Sequence, residues 1–79
     1  MIKAICPYLL ENYIECIFKI ETLRNSNNTE LYYCLDKERK KLHDKILEHA
    51  KTNRDDLKFS YALADYVESE LHKLRTFKN

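Results

Sequence analysis

Residues 7–24 read PYLLENYIECIFKIETLR, a segment whose apolar side chains cover well over half of a helical wheel. An ordinary surface helix has a narrower apolar face, so this helix needs two neighbours to bury it. One apolar stripe contains Leu9, Tyr13, Cys16, Ile20 and Leu23, and the adjacent stripe contains Leu10, Ile14, Ile17 and Phe18. The positions left for water are Glu11, Asn12, Glu15, Lys19 and Thr22.

Local chemistry predicts where this first helix begins. Pro7 suits the first helical position, because its missing N–H is no loss there and its φ is already helical. Ile5 and Leu10 then have the spacing of a hydrophobic staple. The alternative is a helix that begins near Ile2 and bends at Pro7. We favour the later start.

Composition restricts the classes of protein that this chain can represent. Its 79 residues, 44% apolar and 34% charged, predict one helical domain over residues 1–79 and a thin stability margin. The absence of glycine excludes P-loop and Rossmann phosphate sites, and a formal charge of +1 gives no strong electrostatic attraction to any partner. We expect no membrane segment, reduced cysteines and a cytoplasmic location, and the codon bias implied by the composition favours a bacterial or phage source.

Two polar breaks divide the rest of the chain. The sequence NSNN at 25–28 favours a turn, and Asn27 or Asn28 can cap a second helix. A connection this short makes the first two helices antiparallel neighbours. Thr52, Asn53 and Arg54 form the second break, with Asn53 as a cap. The predicted fold is therefore all-α, an antiparallel three-helix bundle over about 7–24, 28–51 and 54–75, which dimerisation could complete.

The third helix carries two apolar faces. We assign the inward face to Leu57, Tyr61, Ala64, Val67, Leu71 and Leu74, which have the spacing of a bundle helix. A second group lies about 120° away: Phe59, Leu63, Tyr66 and Phe77. Three helices would not normally cover this second face. The sequence therefore predicts that it contacts a second copy or another protein.

The second helix holds a basic cluster, which is the candidate nucleic-acid surface: Lys37, Arg39, Lys40, Lys41 and Lys45. Asp36, Glu38 and Asp44 largely neutralise this cluster, so nucleic acid is not the expected partner. Glu38 and Arg39 also interrupt the apolar seam of the helix. Each could extend to solvent along its stem, or Arg39 could be buried beside a carboxylate.

No constellation of residues indicates catalysis, a cofactor or a metal. His43 and His49 point about 120° apart on a helix, and Asp55 and Asp56 are explained by the positive end of a helix dipole.

The leading hypothesis is a non-enzymatic protein–protein interaction module with a regulatory role, as a homo-oligomer or with a protein partner. The alternatives are a nucleic-acid-associated regulator and, third, a small metal-dependent hydrolase or phosphatase.

Overall fold

The computed structural model of the protein describes residues 5–24 and 27–78, apart from the side chain of Lys78. Its helices are α1 (Pro7–Thr22), α2 (Thr29–His49) and α3 (Leu57–Lys78), and the described residues contain no strand. The all-α, three-helix prediction is confirmed. The helix ends differ from the predicted ones by up to three residues, most clearly at the start and the end of α3.

The beginning of α1 follows from Pro7. This residue occupies the first turn, and the Cys6 carbonyl accepts the N–H groups of Leu9 and Leu10 at 3.0 and 3.2 Å. Ile5 and Leu10 are both buried in the core, at the two positions of the predicted staple. The later start is therefore confirmed, whereas Ile2, the origin of the alternative helix, lies outside the described residues.

Both ends of α2 carry recognisable caps. The Asn28 side chain accepts the Leu31 N–H at 3.1 Å, so of the two candidate asparagines Asn28 is the cap. At the other end Lys51 has a φ of 56°, and the Thr52 N–H donates to the Leu47 carbonyl at 3.0 Å. This is the six-to-one bond of a Schellman motif, formed without the glycine that usually occupies the left-handed position.

Contacts between helices define an up-down-up arrangement around α1. Tyr13 of α1 stacks on His43 of α2, with ring centroids 5.8 Å apart, and the Cys16 thiol donates to the Leu35 carbonyl at 3.1 Å. Residue numbers rise along α1 as they fall along α2, so the two helices are antiparallel. Helix α3 runs alongside α1 in the same direction, because Leu63 lines a cleft with Tyr13 and Arg75, later in α3, pairs with Glu21, later in α1.

Helix α1 is the central element, as the two-stripe pattern predicted. It contributes five of the buried residues in the core, and all five positions predicted to face water are exposed. The buried hydrophobic residues are Ile5, Leu10, Tyr13, Ile14, Cys16, Ile20, Leu42, Ile46, Leu47, Phe59, Leu63, Val67 and Leu71. On α2, Leu42 and Ile46 are buried, whereas Leu31 and His49 are exposed.

The predicted inward face of α3 is wrong over its first two turns. Phe59 and Leu63 are buried, with 1% and 4% of their surface exposed, whereas Leu57 and Tyr61 are 64% and 69% exposed. The buried residues of α3 recur every four positions, at 59, 63, 67 and 71. Such a row runs obliquely around a helix, as in packing of i±4 ridges, whereas the prediction assumed the four-three alternation of nearly parallel helices.

Candidate interaction surface

Large apolar side chains remain exposed on this closed core. Those found among the described residues are Tyr8, Leu31, Tyr32, Tyr33, Leu57, Tyr61 and Phe77. They lie in four places: the first turn of α1, the first two turns of α2, the first two turns of α3, and the last turn of α3. Isolated exposed side chains are normal, but neighbouring ones on one helix face are typical of contact surfaces.

The start of α3 is fixed by a side-chain cap. The Asp56 carboxylate accepts the Phe59 N–H at 3.1 Å and the Thr52 hydroxyl at 2.7 Å. These two hydrogen bonds lower the pKa of the Asp56 carboxyl below its ordinary value, the Thr52 bond contributing most. Asn53, the predicted cap, instead accepts the Asp55 N–H at 2.9 Å in a turn before the helix.

With Phe59 directed into the core, Leu57 and Tyr61 lie on the opposite side of the helix, and Ala64 lies at the edge of that side, where it also lines a cleft beside Tyr13 and His43. All three are exposed, and we call them the α3 outer face. Their spacing of four and then three residues places them on one stripe along two helical turns. This stripe has the pattern of a helix that packs against a second helix, although none of the described residues covers it.

Two opposite charges flank the α3 outer face on the same side. Lys58 and Asp65 are exposed, and neither takes part in an ion pair among residues 5–24 and 27–78. Their separation in sequence corresponds to about two turns and about 10 Å along the helix. They are therefore too far apart to neutralise each other within one α3.

The surface predicted from the sequence to bind a partner is not a single surface. Phe59 and Leu63 are core residues, so the expectation that they lie at a contact with another chain is corrected by their burial. Tyr66 is half-buried against the core, and Phe77 is 89% exposed in the last turn of α3. Of the four residues, Phe77 alone offers a largely free side chain.

The basic cluster of α2 is also divided. Arg39 is half-buried, with its guanidinium 3.0 Å from the Asp36 carboxylate, and Lys40 lies 3.5 Å from the same group. The hydrogen bond from Arg39 lowers the pKa of Asp36. Of the two arrangements considered for Arg39, the pairing with a carboxylate is observed, but the side chain is only half-buried. Three exposed lysines remain on the outer side of α2: Lys37, Lys41 and Lys45.

A cleft of about 340 Å³ between the three helices contains the least expected polar group, His43. Burial lowers the pKa of the imidazole, and the nearby Arg54 lowers it further. Burial raises the pKa of the Tyr13 phenol stacked on it, against the opposing effect of Arg39. Ser60 and Glu68 also line the cleft. A neutral imidazole and a protonated phenol therefore face each other at neutral pH.

A second cleft, of about 380 Å³, lies between α1 and α3 and is lined by Glu11, Glu15, Glu70 and Lys73. Its carboxylates are not gathered into a metal-binding group, and no such group of three or more ligating side chains occurs in the described part of the chain. Lys73 instead pairs with Glu70 at 2.8 Å. Within the same described residues, no helix has the length and apolar content to cross a membrane.

The fold and the arrangement of exposed residues define an all-α bundle in which the α3 outer face is unpartnered. No protein-family model, no curated protein and no solved structure matches the chain. The α3 outer face was missed in the sequence because Leu57 and Tyr61 were assigned to the core. The start of α3 could have been placed correctly from one signal, because Asp56 stands immediately before the first apolar residue of the helix, where a cap is strongest.

Proposed function

We propose that this chain is a small, non-enzymatic, regulatory interaction module that binds a protein through the α3 outer face. One observation supports this proposal most strongly: Leu57 and Tyr61 are 64% and 69% exposed on one helix face, although the chain has a closed core. Tyrosine and other large side chains supply most of the energy at protein interfaces, because they bury much apolar area at a small entropic cost.

Charge around this face supports a protein partner. Lys58 and Asp65 carry opposite signs, so the face has no net attraction for a polyanion such as nucleic acid. Charged groups at the rim of an apolar patch contribute orientation and specificity more than affinity. The proposal includes a cytoplasmic location in a bacterium or phage-infected cell, where the three free cysteines would stay reduced.

A binding experiment with purified variants tests this function. The Leu57→Ser/Tyr61→Ser double variant is immobilised beside the wild type and exposed to extract, and captured proteins are identified by mass spectrometry. Each captured protein is then purified and its dissociation constant measured. We expect the double variant to bind at least about tenfold more weakly, because each truncated contact residue is worth about 1 kcal/mol or more.

Tyr33→Ser is the matched control, because Tyr33 is 67% exposed but lies on α2. This variant should bind like the wild type. Equal binding by all three proteins, with unchanged circular dichroism, would contradict the proposed surface. Loss of binding in the Tyr33 variant alone would indicate that the partner contacts the first turns of α2 instead.

The second candidate function is nucleic-acid binding, and one observation favours it. Lys37, Lys41 and Lys45 recur every four residues and are exposed on one side of α2. Such a row can approach a phosphate backbone. Exposed Glu38 and Glu48 lie among these lysines and reduce the local positive charge. We therefore rank this function below protein binding.

A further inference from the structure

The two charges beside the α3 outer face have a symmetry that indicates the kind of partner this face fits. Leu57 and Ala64 lie on either side of Tyr61, and Lys58 and Asp65 lie on either side of a point between Tyr61 and Ala62. A two-fold axis through that point would exchange the two charged positions. The charged rim of this face is therefore complementary to that of a second copy.

We propose that the α3 outer face docks onto the same face of a second copy, with the two α3 helices antiparallel. This inference rests on the proposed function, since it names the partner of that surface. Tyr61 lies at the centre of the contact. Lys58 faces Asp65 of the partner subunit, and by symmetry Asp65 faces Lys58 of the partner subunit.

The charges select this orientation over the parallel one. In an antiparallel pair, a position on one helix faces the position of the other helix that the two-fold axis exchanges with it, on the same flank of the contact. Lys58 of each chain therefore faces Asp65 of the other, which gives two pairs of opposite charges. In a parallel pair, each flank of one helix faces the opposite flank of the other. Over these two turns the opposite flank holds half-buried Ser60 and buried Val67, so Lys58 and Asp65 would meet no charged partner there. Only the antiparallel pair places complementary charges together.

The hydrophobic part of the contact limits its strength. Two turns of one helix supply fewer side chains than the roughly 20–30 residues a side that about 1,600 Å² of a standard interface requires. The Lys58–Asp65 pairs are solvent-exposed and add little affinity. The dimer is therefore weak and forms in a concentration-dependent manner.

Sedimentation equilibrium over a wide concentration range at low ionic strength tests the proposal on the full chain. The wild type should show a monomer–dimer equilibrium. Lys58→Glu and Asp65→Lys should each weaken it about tenfold, because each turns two attractive pairs into repulsive ones. The Lys58→Glu/Asp65→Lys double variant should restore the wild-type constant, since the exchange recreates both pairs.

Mixing the two single variants gives the sharpest readout. In an antiparallel heterodimer the substituted position of one chain faces the substituted position of the other, so the new acidic and basic side chains attract each other. The two unsubstituted positions also face each other and keep their original opposite charges. The mixture should therefore dimerise at least as tightly as the wild type, although neither variant alone does so. A mixture no tighter than its separate components would overturn the antiparallel register.

Two further outcomes separate this inference from the proposed function. The wild type could stay monomeric at every concentration while Leu57→Ser/Tyr61→Ser still loses binding to a purified partner. This result would overturn the proposal that a second copy binds the face, but it would support the proposed function. A dimer that Leu57→Ser/Tyr61→Ser does not weaken overturns the docking face. Circular dichroism of each exposed-residue variant verifies that folding is unchanged.

Discussion

Lys51 holds a left-handed backbone conformation at the end of α2, with a φ of 56°. Its N–H donates to the Glu48 carbonyl at 3.0 Å, and the Thr52 N–H donates to the Leu47 carbonyl at the same distance. These bonds satisfy carbonyls that the helix leaves without partners. A residue with a Cβ is about 1–2 kcal/mol less stable than glycine in this conformation, so the turn is formed at a local cost.

Replacing Lys51 with glycine should therefore stabilise the protein. The relief of the Cβ clash is partly offset by the larger backbone entropy of glycine in the unfolded chain, so the expected gain is about 0.5–1 kcal/mol in the free energy of unfolding. Urea denaturation measures it. Lys51→Ala keeps the Cβ and is the matched control, with little expected change. A glycine variant no more stable than the alanine variant would contradict this account of the turn.

His43 is the half-buried polar residue whose protonation should affect folding. Its imidazole stacks on Tyr13 of α1 and faces Arg39, Asp44 and Arg54, so a further positive charge there is unfavourable. The pKa of the folded imidazole is below its ordinary value of 6.5, chiefly because of burial. The unfolded chain, which lacks this burial, binds a proton at a higher pH than the folded chain does.

The free energy of unfolding should consequently fall as pH drops through about 6.5, until the folded imidazole is also protonated. His43→Phe keeps an aromatic ring against Tyr13 but cannot titrate, so its stability should change less over the same window. Denaturation midpoints between about pH 7.5 and about pH 5 compare the two proteins. The exposed His49 and His72 are present in both and cancel in the comparison. Parallel pH profiles would mean that His43 does not couple to folding.

At the scale of an element, the rotation of α3 about its axis decides which residues form the core. The Asp56 cap begins the helix at Leu57, and the oblique row that includes Phe59 and Leu63 then packs into the common core. Two substitutions only two residues apart should therefore have very different effects.

Phe59→Ala should lower the free energy of unfolding by about 3–5 kcal/mol, because it empties a core position that is 1% exposed. Tyr61→Ala should change it by no more than about 0.5 kcal/mol, because Tyr61 is 69% exposed. Thermal and urea denaturation measure both. If Phe59→Ala does not fold, Phe59→Leu supplies a milder change of about 1 kcal/mol. Equal effects at the two positions would contradict the observed rotation of α3.

The same element shows how far the sequence determines the fold. In α1 the polar positions are few and lie on one side, so a helical wheel identifies the exposed face without ambiguity. Helix α3 contains two apolar pairs with a spacing of four residues, Leu57 with Tyr61 and Phe59 with Leu63. A helical wheel cannot decide which of the two pairs faces the core. The choice depends on the crossing direction of α3 over α1, which is a property of the assembled bundle and not of one helix.

The candidate surfaces also differ in how far the sequence could predict them. Exposure of Lys37, Lys41 and Lys45 could be predicted, because charged residues surround them on α2. The pairing of half-buried Arg39 with Asp36 corresponds to part of one of the two arrangements that the sequence left open. The α3 outer face could not be found without the phase of α3, since its residues are as apolar as those of the core.

The whole molecule is elongated for its length. Its radius of gyration is 13.1 Å, with extents of 37 × 27 × 21 Å, whereas a compact chain of this size is expected near about 12 Å. Residues 29–34 of α2 are all exposed, and Tyr32 and Tyr33 lie there. Apolar area that a rounder molecule would bury is therefore left at the surface, where association with another protein would cover it.

Charge is the other property of the whole molecule, and it bears on the nucleic-acid alternative. Replacing Lys37, Lys41 and Lys45 with Gln removes three positive charges from a chain whose formal net charge is +1. Folding should be nearly unchanged, because these side chains are exposed and surface substitutions usually alter stability by no more than about 0.5 kcal/mol each. Gel-shift titrations with duplex DNA at two salt concentrations should show no specific complex for either protein. A salt-sensitive complex at physiological ionic strength that the triple variant loses, with retained circular dichroism, would instead favour nucleic-acid binding, since each lost phosphate contact lowers the dependence of affinity on salt.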